Sequence, residues 1–165
     1  MTDAEPTRPE SGLPPAALEF VGHAEIELGA PFEVGTLPSG EIRRVIPVAG
    51  GVLRGPLLAG EILAEGSDWQ LVQPDRTATI DTRYMLRHED GALITIRTDG
   101  FRHGTPELLA RLAAGDAVDP GDYYFRVGVR LECAAPQHRW VNHTVFVAIA
   151  ARAASAVRYD LYALR

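Results

Sequence analysis

Residues 77–98 read TATIDTRYMLRHEDGALITIRT, and this stretch decides the fold class. Two runs rich in β-branched and aromatic residues flank Glu89-Asp90-Gly91, and Asp-Gly between such runs is typical of a hairpin turn. Apolar and polar residues alternate along both runs, as they do in strands whose two faces meet different surroundings. The stretch therefore predicts an antiparallel hairpin.

The same alternation continues on both sides of this hairpin. Residues 29–40 are expected to form a long loop, and Gly50-Gly51 is expected to form a bend or bulge. Strands are expected at residues 18–28, 41–48, 57–63, 69–72, 77–88, 92–98, 122–133, 138–151 and 156–164.

One short helix is expected at about residues 105–114. Thr105 can cap its start, and Gly115 can end it. Long strands avoid exposed edges by closing on themselves. The sequence therefore predicts a mainly β protein, a single antiparallel β-barrel of about eight or nine strands with one short helix.

Composition narrows the class of protein. A chain of 165 residues is long enough for one domain with a sizeable core, expected at residues 17–165 behind a disordered leader at residues 1–16. The net charge of −6 argues against a nucleic-acid partner. No apolar run is long enough for a membrane span or a signal peptide, so we expect no membrane partner and a cytoplasmic location.

The sequence lacks the residues that several classes of enzyme and binding site require. All 16 basic residues are Arg, so Schiff-base chemistry, a pyridoxal-phosphate anchor and a P-loop lysine are excluded. Cys133 has no partner for an internal disulfide and is expected to be a buried structural thiol. The five histidines form no recognised metal motif, and nucleotide-binding glycine motifs are absent. No metal and no cofactor are predicted.

Sorting the strand residues by face gives an apolar set and a polar set. The apolar set, expected to form the core, includes Ile80, Ile94, Phe125, Val145 and Val147. The polar set includes aromatic residues that are poor choices for full exposure to water, which favours a polar pocket inside the barrel. The candidate pocket residues are Asp81, Arg83, Tyr124, Arg126, Trp140 and Asn142, with Asp68 and Trp69 at the mouth.

Structural interpretations remain open for several of these residues. Asp68 could simply organise its turn while Trp69 plugs the barrel, and Asp81 and Arg83 could form a structural ion pair. His23 could act as a general base in the site, oriented by Glu25, or could be a surface residue.

The motifs, taken in order, resemble domain-of-unknown-function family 3237. The resemblance covers about residues 18–164 and implies a compact antiparallel β-barrel, commonly in a small homo-oligomer, without implying a mechanism. Asp75-Arg76 departs from the Asp-Gly of the family, and Arg tolerates a left-handed turn less well than Gly. The motifs are Gly50-Gly51, residues 66–70 (GSDWQ), 81–84 (DTRY), 90–92 (DGA), 123–126 (YYFR) and 140–142 (WVN).

These residues support a cofactor-independent enzyme that acts on a small carbonyl, acidic or aromatic molecule by acid/base chemistry, such as cyclisation, isomerisation or hydrolysis. The alternatives are a non-catalytic small-molecule carrier and a structural oligomeric barrel. In the enzyme, Asp68 or Asp81 would be the acid/base group, and Arg83 and Arg126 would hold an oxyanion of the substrate. Tyr124 and Asn142 would donate hydrogen bonds to the substrate. Trp69 and Trp140 would pack against its apolar part.

Overall fold

The computed structural model describes residues 12–165. Most of the expected leader, residues 1–11, lies outside the described residues. The strands of the described part are β1 (Leu18–Leu28), β2 (Phe32–Thr36), β3 (Ile42–Arg54), β4 (Gly60–Ile62), β5 (Ser67–Val72), β6 (Ala78–His88), β7 (Leu93–His103), β8 (Tyr124–Cys133), β9 (Phe146–Arg152) and β10 (Ala156–Leu164).

Eight of these strands close into an antiparallel barrel, as predicted. Strands β6 to β10 pair in sequence order, and β10 then pairs with β1. Pairing of β1 with β3, and of β5 with both β3 and β6, closes the ring. Strands β2 and β4 are additions that pair with β3. Closure leaves no free edge in the eight-stranded ring.

The hairpin at residues 77–98 is confirmed and extends further than expected. Strands β6 and β7 pair from Ala78 opposite Arg102 to Arg87 opposite Leu93. Strand β3 also runs on to Arg54, through Gly50 and Gly51, whose φ angles of 137° and 146° require glycine. A Cβ on Gly51 would lie 2.1 Å from the Glu25 carbonyl oxygen, so strands β1 and β3 approach closely here.

Three expected elements differ from the structure. The expected loop at residues 29–40 contains β2, and the expected strand at 57–63 is reduced to β4. The expected strand at 138–151 begins only at Phe146, because Pro136–His143 forms a 3₁₀ helix. Pro136 occupies the first turn of that helix and cannot donate to a strand ladder.

The short helix is confirmed as α1 (Pro106–Ala114). The Thr105 hydroxyl accepts a hydrogen bond from the Leu108 amide, and Gly115 ends the helix in a left-handed conformation. Because α1 follows β7 directly, it lies beside the barrel end at which β7 finishes. Leu109 and Leu112 are its buried residues.

The predicted core face is confirmed on most strands. Ile80, Ile94 and Phe125 are buried, and Cys133 is a buried free thiol. Strand β9 is the exception: Val145 is 63% exposed and Val147 is only partly buried, whereas Phe146 and Ala148 are buried, because the 3₁₀ helix precedes β9 and the expected phase does not carry through. Within residues 12–165, no helix combines the length and apolar character needed to cross a membrane.

Candidate functional site

Polar side chains occupy the core face of the barrel at the end beside α1. Arg102 on β7 and Arg152 on β9 lie there, at strand positions that continue the phase of buried apolar residues, and Gln70 on β5 lies there on the same face as Asp68. Ala78 pairs with Arg102, and Val157 pairs with Arg152. The first residues of β6 and β10 therefore lie at the same end of the barrel as these two arginines. The barrel interior is therefore apolar over most of its length and polar at this end.

A cavity of about 50 Å³ lies inside this part of the barrel. That volume holds a few water molecules or the end of a small ligand. Its polar lining residues are Asp68, Gln70, Thr82, Tyr84, Thr98, Arg102, Arg152 and Tyr159.

Outside the cavity is a vestibule of about 480 Å³. Five residues line both spaces, and the polar ones among them are Gln70, Arg102 and Arg152, so the cavity and the vestibule meet at these side chains together with Leu28 and Ile46. Arg44, Glu33 and the α1 residue Leu112 are among the other residues that line the vestibule. A ligand could therefore place its body in the vestibule and one end in the barrel.

Asp68 is the buried carboxylate of the cavity. Its Oδ1 accepts a hydrogen bond from the Asp81 amide at 3.2 Å, and its Oδ2 accepts one from Gln70 Nε2 at 3.1 Å. Burial raises the pKa of Asp68, against the opposing effects of these hydrogen bonds, of the Thr82 side chain and of the positive charge of Arg102. Because burial raises its pKa, this carboxylate is a stronger base than an exposed aspartate, which suits a group that accepts and returns a proton.

Arg102, Arg152 and Arg44 form a cluster of positive charge around the mouth of the cavity. Burial, reinforced by repulsion from Arg152, lowers the pKa of Arg102 to about 10. Burial also lowers the pKa of Arg152, and the attraction of Asp68 opposes that effect. The guanidinium groups of Arg102 and Arg152 nevertheless remain charged at neutral pH.

The charges of this cluster are incompletely paired within residues 12–165. Arg44 lies 3.5 Å from Glu33, but neither Arg102 nor Arg152 has a carboxylate oxygen within 4.0 Å. Arg102 Nε and Gln70 Oε1 are buried and lack a hydrogen-bond partner. Buried polar groups are ordinarily satisfied, so these atoms are available to a ligand with an anionic oxygen and a hydrogen-bond donor.

Two tyrosines line the cavity together. Their hydroxyl oxygens, on Tyr84 and Tyr159, are 2.6 Å apart, and both side chains are buried. Burial raises the pKa of Tyr84, and it raises the pKa of Tyr159 to about 12, so both keep their protons at neutral pH. One proton serves the mutual hydrogen bond, which leaves the other for donation to a ligand or water.

The structure places Asp68 in this cavity but its predicted companions elsewhere. Trp69 is 54% exposed, because it alternates with Asp68 and Gln70 along β5. Asp81 lies on the outer face of β6, where its Oδ1 is 3.6 Å from Arg97 Nε, and Arg83 is exposed. The expectation that Asp81 and Arg83 face the interior is wrong, because the inward residues of β6 are Ile80, Thr82 and Tyr84.

The predicted inward orientation of Tyr124 and Arg126 is also wrong. Both lie on the outer face of β8, and Phe125 between them is buried. The Arg126 guanidinium lies 5.4 Å from the Tyr124 ring centre, and the His103 ring stacks on Tyr124 at 4.8 Å. Arg126 and His103 therefore pack on the outward-facing ring of Tyr124 at the barrel surface.

Trp140 and Asn142 lie on the 3₁₀ helix at the opposite end of the barrel. The Trp140 ring packs on Phe146 at 5.8 Å. Asn142 accepts a hydrogen bond from the Cys133 amide and donates one to the Cys133 carbonyl, at 3.1 and 2.8 Å. Both residues hold the connection between β8 and β9 rather than reaching the cavity.

His23 lies on the outer surface between β1 and β10. Its Nδ1 is 2.6 Å from Asp160 Oδ1, and its Nε2 is 3.9 Å from Glu25 Oε1. Asp160 therefore orients this imidazole more closely than Glu25 does. The structure does not bring His23 together with Asp68.

Sequence reasoning missed Gln70, Arg102 and Arg152. The signal is present in the sequence, since Thr98 and Arg102 continue the phase of Ile94 and Ile96. The core face of β7 was expected to be apolar throughout, so Thr98 and Arg102 at its end were not considered as site residues. The inward orientation of Arg152 could not be predicted from the sequence, because it depends on the residue at which β9 begins.

The fold and this cavity define the protein as a small closed antiparallel β-barrel with a polar interior pocket. The chain matches the model of the family described as protein of unknown function (DUF3237) over residues 16–164, and it belongs to that family. This confirms the resemblance read from the motifs.

Relatives and solved structures share the barrel. The UPF0311 protein RPA1785 of Rhodopseudomonas palustris is 32% identical over 149 residues, which are 90% of this chain and 97% of that protein. Its crystal structure, described as a conserved protein of unknown function, has a TM-score of 0.86 over 93% of this chain and 99% of that one. A β-barrel-like protein from Acinetobacter baumannii is 43% identical, with a TM-score of 0.83 over 94% of this chain and 100% of that one.

A more distant structure shares the fold alone. It is an enzyme from Penicillium herquei, 18% identical, with a TM-score of 0.66 over 92% of this chain and 98% of that one.

Proposed function

We propose that the protein is a cofactor-independent enzyme that transfers a proton on a small organic acid containing a carbonyl group. The observation that carries the proposal is the presence of a buried carboxylate of raised pKa, Asp68, in the same cavity as two arginines that form no salt bridge with a carboxylate of residues 12–165. A general base beside fixed positive charge is the arrangement that enolate chemistry requires.

In the proposed reaction, Arg102 and Arg152 bind the anionic group of the substrate at the cavity mouth. The carbonyl end enters the barrel, where the Tyr84–Tyr159 pair donates a hydrogen bond to the carbonyl oxygen. Asp68 removes the proton from the adjacent carbon, and the electron pair moves onto the carbonyl oxygen as an enolate. Return of the proton to the same carbon completes an exchange, and where a C=C bond is conjugated with the enolate, return to the far carbon of that bond completes an isomerisation; neither outcome consumes an electron acceptor or a further reactant.

The fold is compatible with catalysis. The barrel from Penicillium herquei is described as an enzyme, although the likeness at 18% identity concerns the fold alone. Support for this particular chemistry therefore comes from the residues of the cavity.

The test is hydrogen–deuterium exchange on keto acids. Levulinate and benzoylpropionate carry a carboxylate and C–H groups beside a ketone, and their methyl esters are neutral controls. We expect the protein to accelerate exchange of these C–H groups in D₂O, followed by proton NMR, for the acids more than for the esters. Asp68→Asn should abolish the acceleration, whereas Asp99→Asn, on the outer face of β7, should retain it. Exchange equal to that of buffer across a wider keto-acid panel would count against the proposal.

A carrier that uses the same pocket is the second candidate. The cavity of about 50 Å³ encloses only the end of a ligand, which leaves the body in the vestibule, and that arrangement also suits reversible binding. A carrier would bind the keto acids without exchange, and Asp68→Asn would leave their affinity unchanged.

A further inference from the structure

Three potential metal-binding side chains converge at the barrel end opposite α1. His88 is the last residue of β6, Asp90 lies in the turn to β7, and His138 is on the 3₁₀ helix that follows β8. One ligand atom from each side chain lies within 4.8 Å of the others. This cluster is separate from the cavity and independent of the function proposed for it.

Both imidazoles point at the same carboxylate. Asp90 Oδ1 lies 2.9 Å from His88 Nδ1, and Asp90 Oδ2 lies 2.8 Å from His138 Nε2. The two rings are 4.2 Å apart between centres and tilted by 56°, so their nitrogens converge from two sides. His138 is buried and His88 is partly buried, whereas Asp90 borders solvent.

His88 Nδ1 and the Asp90 carboxylate face each other as potential metal ligands. This nitrogen is positioned to accept a hydrogen bond from the Asp90 amide at 3.3 Å, and it also faces the Asp90 carboxylate. In one tautomer Nδ1 donates to the carboxylate oxygen 2.9 Å away, and in the other the two atoms present lone pairs to each other. A metal ion between them would accept both lone pairs.

The carboxylate is oriented by further contacts. Gln137 Nε2 donates to Asp90 Oδ2 at 3.0 Å, and the Ala92 amide donates to Asp90 Oδ1 at 2.9 Å. Outer hydrogen bonds of this kind fix the ligands of metal sites in place.

We propose that His88, Asp90 and His138 bind a divalent transition-metal ion of the Zn²⁺, Co²⁺ or Ni²⁺ class. Two imidazole nitrogens and one carboxylate oxygen suit these ions, whereas Mg²⁺ and Ca²⁺ prefer oxygen ligands alone. Metal–ligand distances of about 2.0–2.2 Å separate tetrahedral ligand atoms by roughly 3.3–3.6 Å. Side-chain movements of a few tenths of an ångström to about one ångström reach that geometry. The ion would tie the β6–β7 turn to the 3₁₀ helix, with water completing its coordination.

The experiment uses the full chain without a histidine tag. Titration calorimetry with ZnCl₂ should give one site per chain, CoCl₂ should give a visible absorption spectrum, and MgCl₂ should give neither. At a Zn²⁺ concentration of about 100 times the dissociation constant, the midpoint of thermal unfolding should rise by roughly 5–10 °C.

Variants locate the site. His88→Gln and Asp90→Asn, both in the hairpin, should each weaken Zn²⁺ binding by about tenfold or more. His138→Gln should do the same, and the two hairpin variants decide the result if burial of His138 prevents folding. His103→Gln, at the other end of the barrel, is the matched control and should bind as the unmodified protein does. Absence of binding at millimolar Zn²⁺, or equal affinity in His88→Gln, Asp90→Asn and the control, would overturn the proposal.

Discussion

The backbone amide of Asp81 holds the carboxylate of Asp68, with 3.2 Å between the Asp81 nitrogen and Asp68 Oδ1. The two aspartates are thus neighbours in adjacent strands, but their side chains are on opposite sides of the barrel wall. Asp68 faces the cavity, and Asp81 faces Arg97 outside. Of the two aspartates, Asp68 is the one whose carboxylate can contact a molecule inside the barrel.

The first prediction separates these two carboxylates. Asp68→Asn should lower exchange of the keto-acid C–H groups by about 10²-fold or more, since removal of a general base has that effect. Asp81→Asn keeps its backbone amide and should change the rate only a few-fold. NMR-monitored exchange in D₂O measures both, and the opposite ranking would place the chemistry on the outer face.

The second prediction concerns the stability of Asp68→Asn. Because burial raises the folded-state pKa of Asp68, the ionised carboxylate destabilises the fold at neutral pH. Between the unfolded pKa and the raised folded pKa, the folded protein binds more protons, so the contribution of Asp68 to stability improves as the pH falls through this window. Gln70 can turn its unpaired Oε1 towards the new amide group.

Asp68→Asn should therefore have a higher unfolding midpoint than the unmodified protein at pH 7, and this difference should shrink as the pH falls towards the unfolded pKa. Thermal unfolding across a pH series measures the difference. A gap that widens on acidification would contradict the raised pKa.

The third prediction concerns anion binding. Arg102→Gln and Arg152→Gln should each weaken binding of levulinate by about tenfold or more, because each removes a charged hydrogen-bond donor from the cavity mouth. Arg130→Gln changes an exposed residue of β8 and is the matched control. Affinities of the acid and its methyl ester, measured by NMR titration, should converge in the two cavity variants.

The fourth prediction concerns the tyrosine pair. Tyr84→Phe or Tyr159→Phe leaves the other buried hydroxyl without its partner and should reduce the free energy of unfolding by about 1–3 kcal/mol. The double variant removes both polar groups and should cost less than the sum of the single variants. Denaturant unfolding of the four proteins forms the cycle, and strict additivity would show that the two hydroxyls do not depend on each other.

The fifth prediction concerns the turn after β5. Arg76 has a φ of 70° and is the non-glycine residue with positive φ in the described part of the chain. Arg76→Gly should raise the free energy of unfolding by about 0.5–1 kcal/mol. The substitution removes the steric strain of a left-handed Arg from the folded state, and this gain exceeds the extra conformational entropy that glycine gives the unfolded chain. Gly40, with a φ of 89° and open space around it, is the reciprocal control, and Gly40→Ala should be destabilising.

Much of the fold was readable from local patterns. The Asp90-Gly91 turn predicts the central hairpin, and the caps at Thr105 and Gly115 predict α1. The core phase of β6, β7 and β8 was also readable, because strand periodicity is a local property. The 3₁₀ helix at Pro136–His143 was not, since its polar and apolar residues also fit a strand.

The sequence by itself determined an antiparallel barrel and the core-forming face of most of its strands, and it singled out Asp68, which faces the cavity. Only the tertiary structure decided which other polar residues face inward. Arg44, Arg102 and Arg152 lie on three strands far apart in sequence, and closure of the barrel brings their core-phase ends to one mouth. Alternation shows which residues share a face within one strand, but the composition of an enclosed space depends on how all the strands meet.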